Sequence, residues 1–581
     1  MDCQVVRICD CFPENILRVL AELPKTLDET YERTLRGINN ERWGFAHRVF
    51  QFVSVASRPL RVEELAELLA FDFEAGSTPK FQKDRRRGDP VDVVLSTCST
   101  LLAIVNDKGS PVVQFSHYSV KEFLLSTRLA ETTDIISRRY HVSLTPAHAL
   151  ATQACLGLLL HLDMDITRKS LEDFPLAEYA ADHWIDHSLL EDVSPNVEDG
   201  MKQLFDPSKP HLSICIWIRD PVFPPWNRPT RSETPQPLAQ TSLHYAASWG
   251  IHPVLEFLII EHSQDVCSRD STGNTTPLHL ASQKGHLKAA CKLIERGADL
   301  TAQDNGGQTP LHYASQNGRV DIPRMLIERG ADLKAQDNYS QTPLHLASRQ
   351  GRVDVARMLI ERGADLEAQN NYEETPLHLA SREGRVDVAR MLIERGADLT
   401  AQKNDGETPV HLASRQGRVD VTRMLIEHGA DLTARNKNGH TPLHLVSYRG
   451  QVDVARILIE HGVDLTAQDN DGQTALHFAS REGEVEVARM LIERGADLTA
   501  KDNDGKAPLH LASAPPPRSR VPLQKFAELA HILLKHGADI NSRTKDGFTP
   551  FTLASQRGLA EIVHVLVQHG ADSGAHDNVK L

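Results

Sequence analysis

Gln341-Thr-Pro-Leu-His-Leu-Ala-Ser-Arg-Gln-Gly351 decides how this chain is read. Thr342 is a good helix N-cap, and Pro343 at the first helical position gives up no hydrogen bond there. Leu344 and Ala347 fall on one side of the helix, and Gly351 ends it where a left-handed residue fits. A second helix is predicted from Val353 to Arg362. Val353, Ala356, Leu359 and Ile360 form its apolar stripe, with Asp354, Arg357 and Glu361 on the opposite face. Gly363-Ala-Asp-Leu366 then stops that helix and leads into a turn. Two helices this short cannot bury an apolar face alone, so the unit needs stacked copies of itself.

Those copies are present. The anchor recurs as Thr241-Ser-Leu-His244, Thr276-Pro-Leu-His279, Thr309-Pro-Leu-His312, Thr375-Pro-Leu-His378, Thr408-Pro-Val-His411, Thr441-Pro-Leu-His444, Thr474-Ala-Leu-His477, Ala507-Pro-Leu-His510 and Thr549-Pro-Phe-Thr552, mostly 33 residues apart. That period with T-P-L-H-x-A resembles the ankyrin-repeat family. The resemblance implies a helical solenoid of about ten repeats, whose long surface suits binding rather than chemistry. Some copies depart from the rule. The turn usually reads Asp-Asn-Asp-Gly, as at Asp469 to Gly472, but Ser340 and Glu373 replace the glycine in two copies and predict less ideal tips. Pro323 stands near the start of a second helix, where it is tolerable. The ninth repeat carries nine extra residues around Pro515-Pro-Pro517. The first copy is spaced by 35 residues and the tenth has Thr552 in place of histidine, so both read as edge repeats.

A formal charge of −14 argues against a chain that clings to phosphate backbones. No apolar run reaches transmembrane length, and Met1-Asp-Cys lacks the basic start of a signal peptide. Eight cysteines without a pairing framework suit a reducing compartment, so the expected location is intracellular, cytoplasmic or nuclear. Cys3 with Cys9-x-Cys11 has no second pair at zinc-finger spacing, and the histidines of the anchor have no cysteine or carboxylate at ligand spacing. Each histidine stands three residues after its threonine, where it can tie the helix start to a neighbouring turn. Neither metal nor cofactor is expected. With no G-x-S-x-G, no H-E-x-x-H and no placed Cys/His constellation, the chain reads as a non-enzyme.

The first 240 residues have no repeat. Helices are predicted over 13–36, 41–56, Val62 to Leu69, 91–99 and Ser119 to Leu125. Leu101-Leu-Ala-Ile-Val105 and Val112-Val-Gln-Phe115 flank Asn106-Asp-Lys-Gly-Ser110, a hairpin signal. Helices followed by a hairpin point to a winged-helix module, with residues 72–90 as a charged loop containing Lys83-Asp-Arg-Arg-Arg87. Leu23-Pro-Lys-Thr-Leu-Asp-Glu-Thr-Tyr-Glu-Arg33, Ser57-Arg-Pro-Leu60 with Glu63-Glu-Leu65, and Phe115-Ser-His-Tyr-Ser-Val-Lys-Glu-Phe-Leu124 resemble fungal NACHT–ankyrin proteins of the NLR type. Phe174-Pro-Leu-Ala-Glu-Tyr-Ala-Ala-Asp-His-Trp184 extends the resemblance more loosely. In that family such a stretch follows the nucleotide-binding domain. No G-x-x-x-x-G-K-[ST] occurs here, so the chain is expected to begin where an ATPase would have ended, either as a natural truncated relative or with its upstream part missing. His117 matches a histidine that some relatives place near nucleotide, and without that domain it reads as a packed structural residue.

The expected architecture is therefore mainly α. A winged-helix-like region occupies 1–140, a helical extension 141–220, a Pro-rich linker 221–238 and the solenoid 239–581. Its interaction face is expected to be concave, formed by hairpin tips and the exposed ends of the first helices. One column there reads Gln283, Gln316, Arg349, Arg382, Arg415, Tyr448, Arg481, and Arg449 stands in its neighbour. Arginines repeated once per unit are planar donors suited to an acidic protein partner. Glu383 and Glu482 blunt that field, leaving a solvated charged face as the competing reading. Arg324, Arg357, Arg390, Arg423, Arg456 and Arg489 are read as outward helix-surface pairs with acids at i−3 and i+4. The function expected is a protein-binding scaffold or sensing arm of an NLR-like system, with no membrane, nucleic-acid or small-molecule partner. The alternatives are the C-terminal part of a NACHT switch and a nucleic-acid binder using Lys83 to Arg87.

Overall fold

The computed structural model describes residues 26–39, 42–74, 78–86, 88–98, 100–107, 109–190, 193–219, 232–517 and 521–572. Cys3, Cys9, Cys11, Arg87 and most of the Pro-rich segment lie outside them, as does the first half of the helix expected over 13–36. The chain forms two compact units, Met1–Thr272 and Gly273–Leu581. No described helix is long and apolar enough to cross a membrane.

The first unit opens with α1 (Leu27–Arg36) and α2 (Trp43–Val55), then β1 (Leu60–Arg61) and α3 (Val62–Ala66). A tight helical turn follows, then β2 (Phe71–Asp72), β3 (Lys80–Phe81) and α4 (Pro90–Cys98). The hairpin β4 (Leu102–Asp107) and β5 (Ser110–Phe115) joins β1 in a sheet ordered β1-β5-β4. Gly109 turns it at φ 92, its amide donating to Asn106 Oδ1 at 3.0 Å. The stretch 72–90 is more than a loop, because Phe71 and Asp72 pair antiparallel with Phe81 and Lys80.

Two buried carboxylates explain why the quoted motifs belong together. Glu64 accepts from both Nη atoms of Arg58 at 2.8 and 2.6 Å, from Arg61 Nε at 3.0 Å and from the Arg61 amide at 2.7 Å. Glu67 accepts from Arg86 and, at 2.7 Å, from the Leu176 amide. Ser57-Arg-Pro-Leu60, the charged stretch and the segment after Phe174 are thus held on α3 and the helical turn after it, since a buried charge persists only when paired and hydrogen-bonded.

Further on, α5 (Tyr118–Leu125), α6 (Thr127–Glu131) and α7 (Ile135–Arg138) lead to α8 (Leu144–Leu159), the central helix of the extension. It packs on α2 and on α10 (Ala177–Ser188), which follows the short α9 (Arg168–Leu171). Next come α11 (Ser194–Phe205) and α12 (His211–Ile218), and then the first repeat, α13 (Ser242–Trp249) and α14 (His252–Ile260). That repeat lies inside this unit, although the boundary was expected at 221–238. Trp249 of α13 meets Trp184 of α10 at 5.8 Å and Phe205 of α11 at 5.6 Å between ring centroids, both edge-on. These contacts give the tryptophan of the first copy its packing role.

In the second unit, helix pairs from Pro277–Lys284 and Leu287–Glu295 to Pro550–Gln556 and Ala560–Gln568 follow the expected plan. Leu344 and Ala347 are buried as read. The second helix Val353–Glu361 differs in detail: Val355, Ala356, Met358 and Leu359 are buried, while Val353 and Ile360 are only partly so. Pro323 shortens its helix to Asp321–Glu328, which starts one residue later than its neighbours because the ring removes an amide and fixes φ. Ser340 and Glu373 adopt φ of 56, a left-handed turn made without glycine.

Candidate interaction surface

The second to ninth repeats each hand a hydrogen bond to the next through a histidine. His345 Nδ1 accepts from the Thr342 amide at 3.1 Å and lies 2.8 Å from the Thr342 hydroxyl. Its Nε2 reaches the Glu374 carbonyl in the next repeat at 3.0 Å. An amide only donates and a carbonyl only accepts, so the ring is the neutral Nε2–H tautomer. The same rung runs from His378 to Glu407, His411 to His440 and His444 to Gln473, at 3.1 to 3.2 Å. Burial pushes these four imidazoles down to about 4. Thr552 keeps the inward half of the rung in the tenth repeat, accepting from the Thr549 amide at 2.8 Å. With both nitrogens engaged, the ladder is structural, and among the described residues no group of three His, Cys, Asp or Glu is placed to hold a metal ion.

Two further cross-links escaped the sequence reading. Arg352, Arg385 and Arg418 each donate from Nε to a carbonyl of the preceding repeat, Gln316, Arg349 and Arg382, at 2.9 to 3.1 Å. At the hairpin tips, Asn338, Asn371, Asn404, Asn470 and Asn503 each donate from Nδ2 to the backbone carbonyl of the residue 33 positions earlier, at 2.9 to 3.1 Å. Both recur at period 33, and that recurrence was the available signal. The two series are broken at several joints: Lys545 and Leu559 hold both positions in the tenth repeat, and Glu484 holds the arginine position in the repeat of Ala475–Glu482. In the repeat of Pro442–Arg449, Lys437 stands in the asparagine position and Gln451 in the arginine position. The backbone link from the Lys437 amide to the Asp405 carbonyl, 2.8 Å, remains.

The expected row of free donors is largely tied down. Arg382 meets Glu374 at 2.6 Å and Glu383 at 3.2 Å, and Arg415 meets Glu407 at 2.8 Å. Arg481 meets Glu482 at 3.0 Å, but Gln473, a neutral group, fills the place of Glu374 and Glu407, at 3.2 Å. Arg349 faces no carboxylate among the described residues. The structure does gather three of the expected residues. The exposed Tyr448 ring has the Arg449 guanidinium 5.3 Å and the Arg481 guanidinium 5.8 Å from its centroid. Arg481 also lies 4.6 Å over Phe478, whose ring is edge-on to His440 at 5.1 Å. Two exposed residues outside the expected set, Tyr339 and Tyr372, rise from adjacent tips beside the strained Ser340 and Glu373. On the second helices, Arg489 approaches Glu486 at 3.9 Å, while closer pairs run between repeats, as from Arg362 to Glu328 at 3.2 Å.

In the first unit the basic stretch is spent internally. Lys83 pairs with Asp173 at 3.0 Å, Arg85 with Asp72 at 3.1 Å, and Arg86 with buried Glu67. His117 is exposed rather than packed. Its Nδ1 accepts from the Ser119 amide at 3.2 Å and caps α5.

A family model described as "Ankyrin repeats (3 copies)" matches overlapping stretches that run without a gap from 227 to 521. The single "Ankyrin repeat" matches 504–545 and 546–578. The chain belongs to the ankyrin-repeat family. Residues 31–135 of this ankyrin protein match "GPI inositol-deacylase, winged helix domain", which covers α2 through the β4–β5 wing. A curated relative, "Azaphilone pigments biosynthesis cluster protein L" of Monascus ruber, is 28% identical over 301 residues, 48% of this chain and 61% of that protein. The chain thus spans about three-fifths of the length of that relative. Its ankyrin repeats support a surface for protein–protein interaction.

Proposed function

We propose that this ankyrin protein is a non-catalytic intracellular scaffold or sensing arm in an NLR-like signalling or defence system. The observation that carries the reading is the side-chain cross-linking of the array. Histidine rungs, arginine straps and asparagine rungs join successive repeats, so a row of side chains is held at fixed spacing before any partner arrives. Preorganisation of that kind reduces the ordering cost of association. The winged-helix match supports a NACHT-type context for the first unit, and the internal ion pairs of Lys83, Arg85 and Arg86 disfavour a nucleic-acid role for it.

The test is partner capture by crosslinking on the full chain in its source cells, repeated with substitutions along the row. Loss of a defined protein partner on those substitutions is expected, and nucleic acid as the main crosslinked species would overturn the reading. An immunoblot separates its two forms. A band near 64.6 kDa means a free-standing scaffold. A band tens of kilodaltons heavier means the arm of a nucleotide-dependent switch.

A further inference from the structure

The copies from 276 to 505 are so alike that a departure confined to one of them is informative. The repeat running from Lys437 to Gln451 departs at five positions together, Lys437, His440, Tyr448, Arg449 and Gln451, the last a column also broken by His286 and Glu484. Two of these changes remove cross-links to the preceding repeat, so packing does not account for them. A sequence that gives up local consistency in one place is expected to gain function there. What the changes build is specific. Tyr448 is exposed, and its ring is flanked by Arg449 and by Arg481, whose own plane rests on Phe478. Among the described residues neither Lys437 nor Arg449 is ion-paired, and Gln473 leaves Arg481 without the finger-base carboxylate that Arg382 and Arg415 have. Arg481 keeps its pair with Glu482, and the Glu484 carboxylate lies against Gly450, so the unpaired positive charge is that of Lys437 and Arg449, on a chain of formal charge −14.

We propose that the repeat from Lys437 to Gln451 is the recognition repeat of the array, and that it takes an acidic peptide segment of its partner. The partner's carboxylate lies against the Arg449 and Arg481 guanidinium groups, and an adjacent aromatic or aliphatic side chain packs on Tyr448. The combination of an aromatic ring with arginine is that of an interface hot spot, and charge assistance favours a carboxylate over a neutral group. This rests on the scaffold reading and assigns its partner class.

The probe is a displayed library of random twelve-residue peptides, selected on the full chain. Variants are Tyr448→Arg with Arg449→Gln, residues that neighbouring repeats carry and that therefore fold, Lys437→Asn, and Arg382→Gln as a control. The expected result is enrichment of peptides with an acid beside an apolar residue. Their affinity falls at least tenfold in the double variant, falls with added salt, and changes less than twofold in the control. Enriched peptides that lack acids, or no enrichment at all, would overturn the proposal. Peptides that ignore the double variant but are lost in Arg382→Gln would overturn this site and leave the scaffold reading standing.

Discussion

Acid should loosen the repeat array through its histidines, and the amount follows from the rungs. His345, His378, His411 and His444 are buried, and burial holds each at about 4, whereas an imidazole in an unfolded chain titrates near ~6.5. The folded value is the lower one, so as pH falls the unfolded chain takes up its proton first and gains on the folded chain. The stability these rungs carry is whole above about pH 7.5, declines as pH falls through ~6.5, and is lost near ~4. At pH ~5.5 the difference between the two titrations is about 1.4 kcal/mol per histidine, or about 6 kcal/mol for four repeats that unfold together. Asp431, Asp464 and Asp497 are held below the ordinary carboxylate value by hydrogen bonds from threonine, so their contribution fades only at lower pH. The assay is urea unfolding followed by far-UV circular dichroism at pH ~7.5, ~6.5 and ~5.5 at one ionic strength. All five tryptophans, Trp43, Trp184, Trp217, Trp226 and Trp249, precede Gly273, so fluorescence follows the first unit separately. With a slope of about 3 kcal/mol per molar urea, the array midpoint drops by about 2 M across that range. A midpoint that holds steady or rises would refute the assignment of buried, neutral rungs.

Other substitutions test the remaining parts of the repeat. Ser414 Oγ is buried without a hydrogen-bond partner among the described residues, like Ser348, Ser381, Ser447 and Ser480. Ser414→Ala should raise stability by about 0.5–1 kcal/mol, read from the urea midpoint. Gly351 sits at φ 73 with room for a Cβ only 2.7 Å from Arg385 Cδ, so Gly351→Ala should lower it by about 1–2 kcal/mol. Ser340→Gly should relieve the left-handed turn and add about 1 kcal/mol, with no change in helix content. Lys437→Asn should restore a tip rung and add about 0.5–1 kcal/mol, seen as slower amide exchange at residues 405 and 437.

The repeat plan was legible because period, cap and turn glycine are local signals, each fixed within a few residues. Leu344, Ala347 and the histidine tie to the next turn could be read from spacing alone. The arginine of the strap recurs at Arg319, Arg352, Arg385 and Arg418, but nothing in a sequence says which carbonyl 36 residues back a guanidinium will meet. The pairing of Arg382 with Glu374 and Arg415 with Glu407 was missed for the same reason. A row read as free donors depends on which acids the tips bring beside it. The first repeat's attachment was hidden too, since Trp249 meets Trp184 and Phe205 only through the tertiary packing of α10, α11 and α13. The burial of Glu64 and Glu67 carries no signal in the sequence, because the arginines aimed at them are placed by the fold.

The lapse of both side-chain cross-links at Lys437 and Gln451 has a mechanical meaning. From the repeat of Pro343–Gln350 to that of Pro409–Arg415, an asparagine at the tip and an arginine behind it share whatever load bends one repeat against the one before. Between the repeat of Pro409–Arg415 and that of Pro442–Arg449 the load falls on the backbone link to Asp405, the His411 rung and apolar contact. Stretched from its two ends, the array is softer at this joint than at the three before it, and this is where Tyr448 and Arg449 stand exposed.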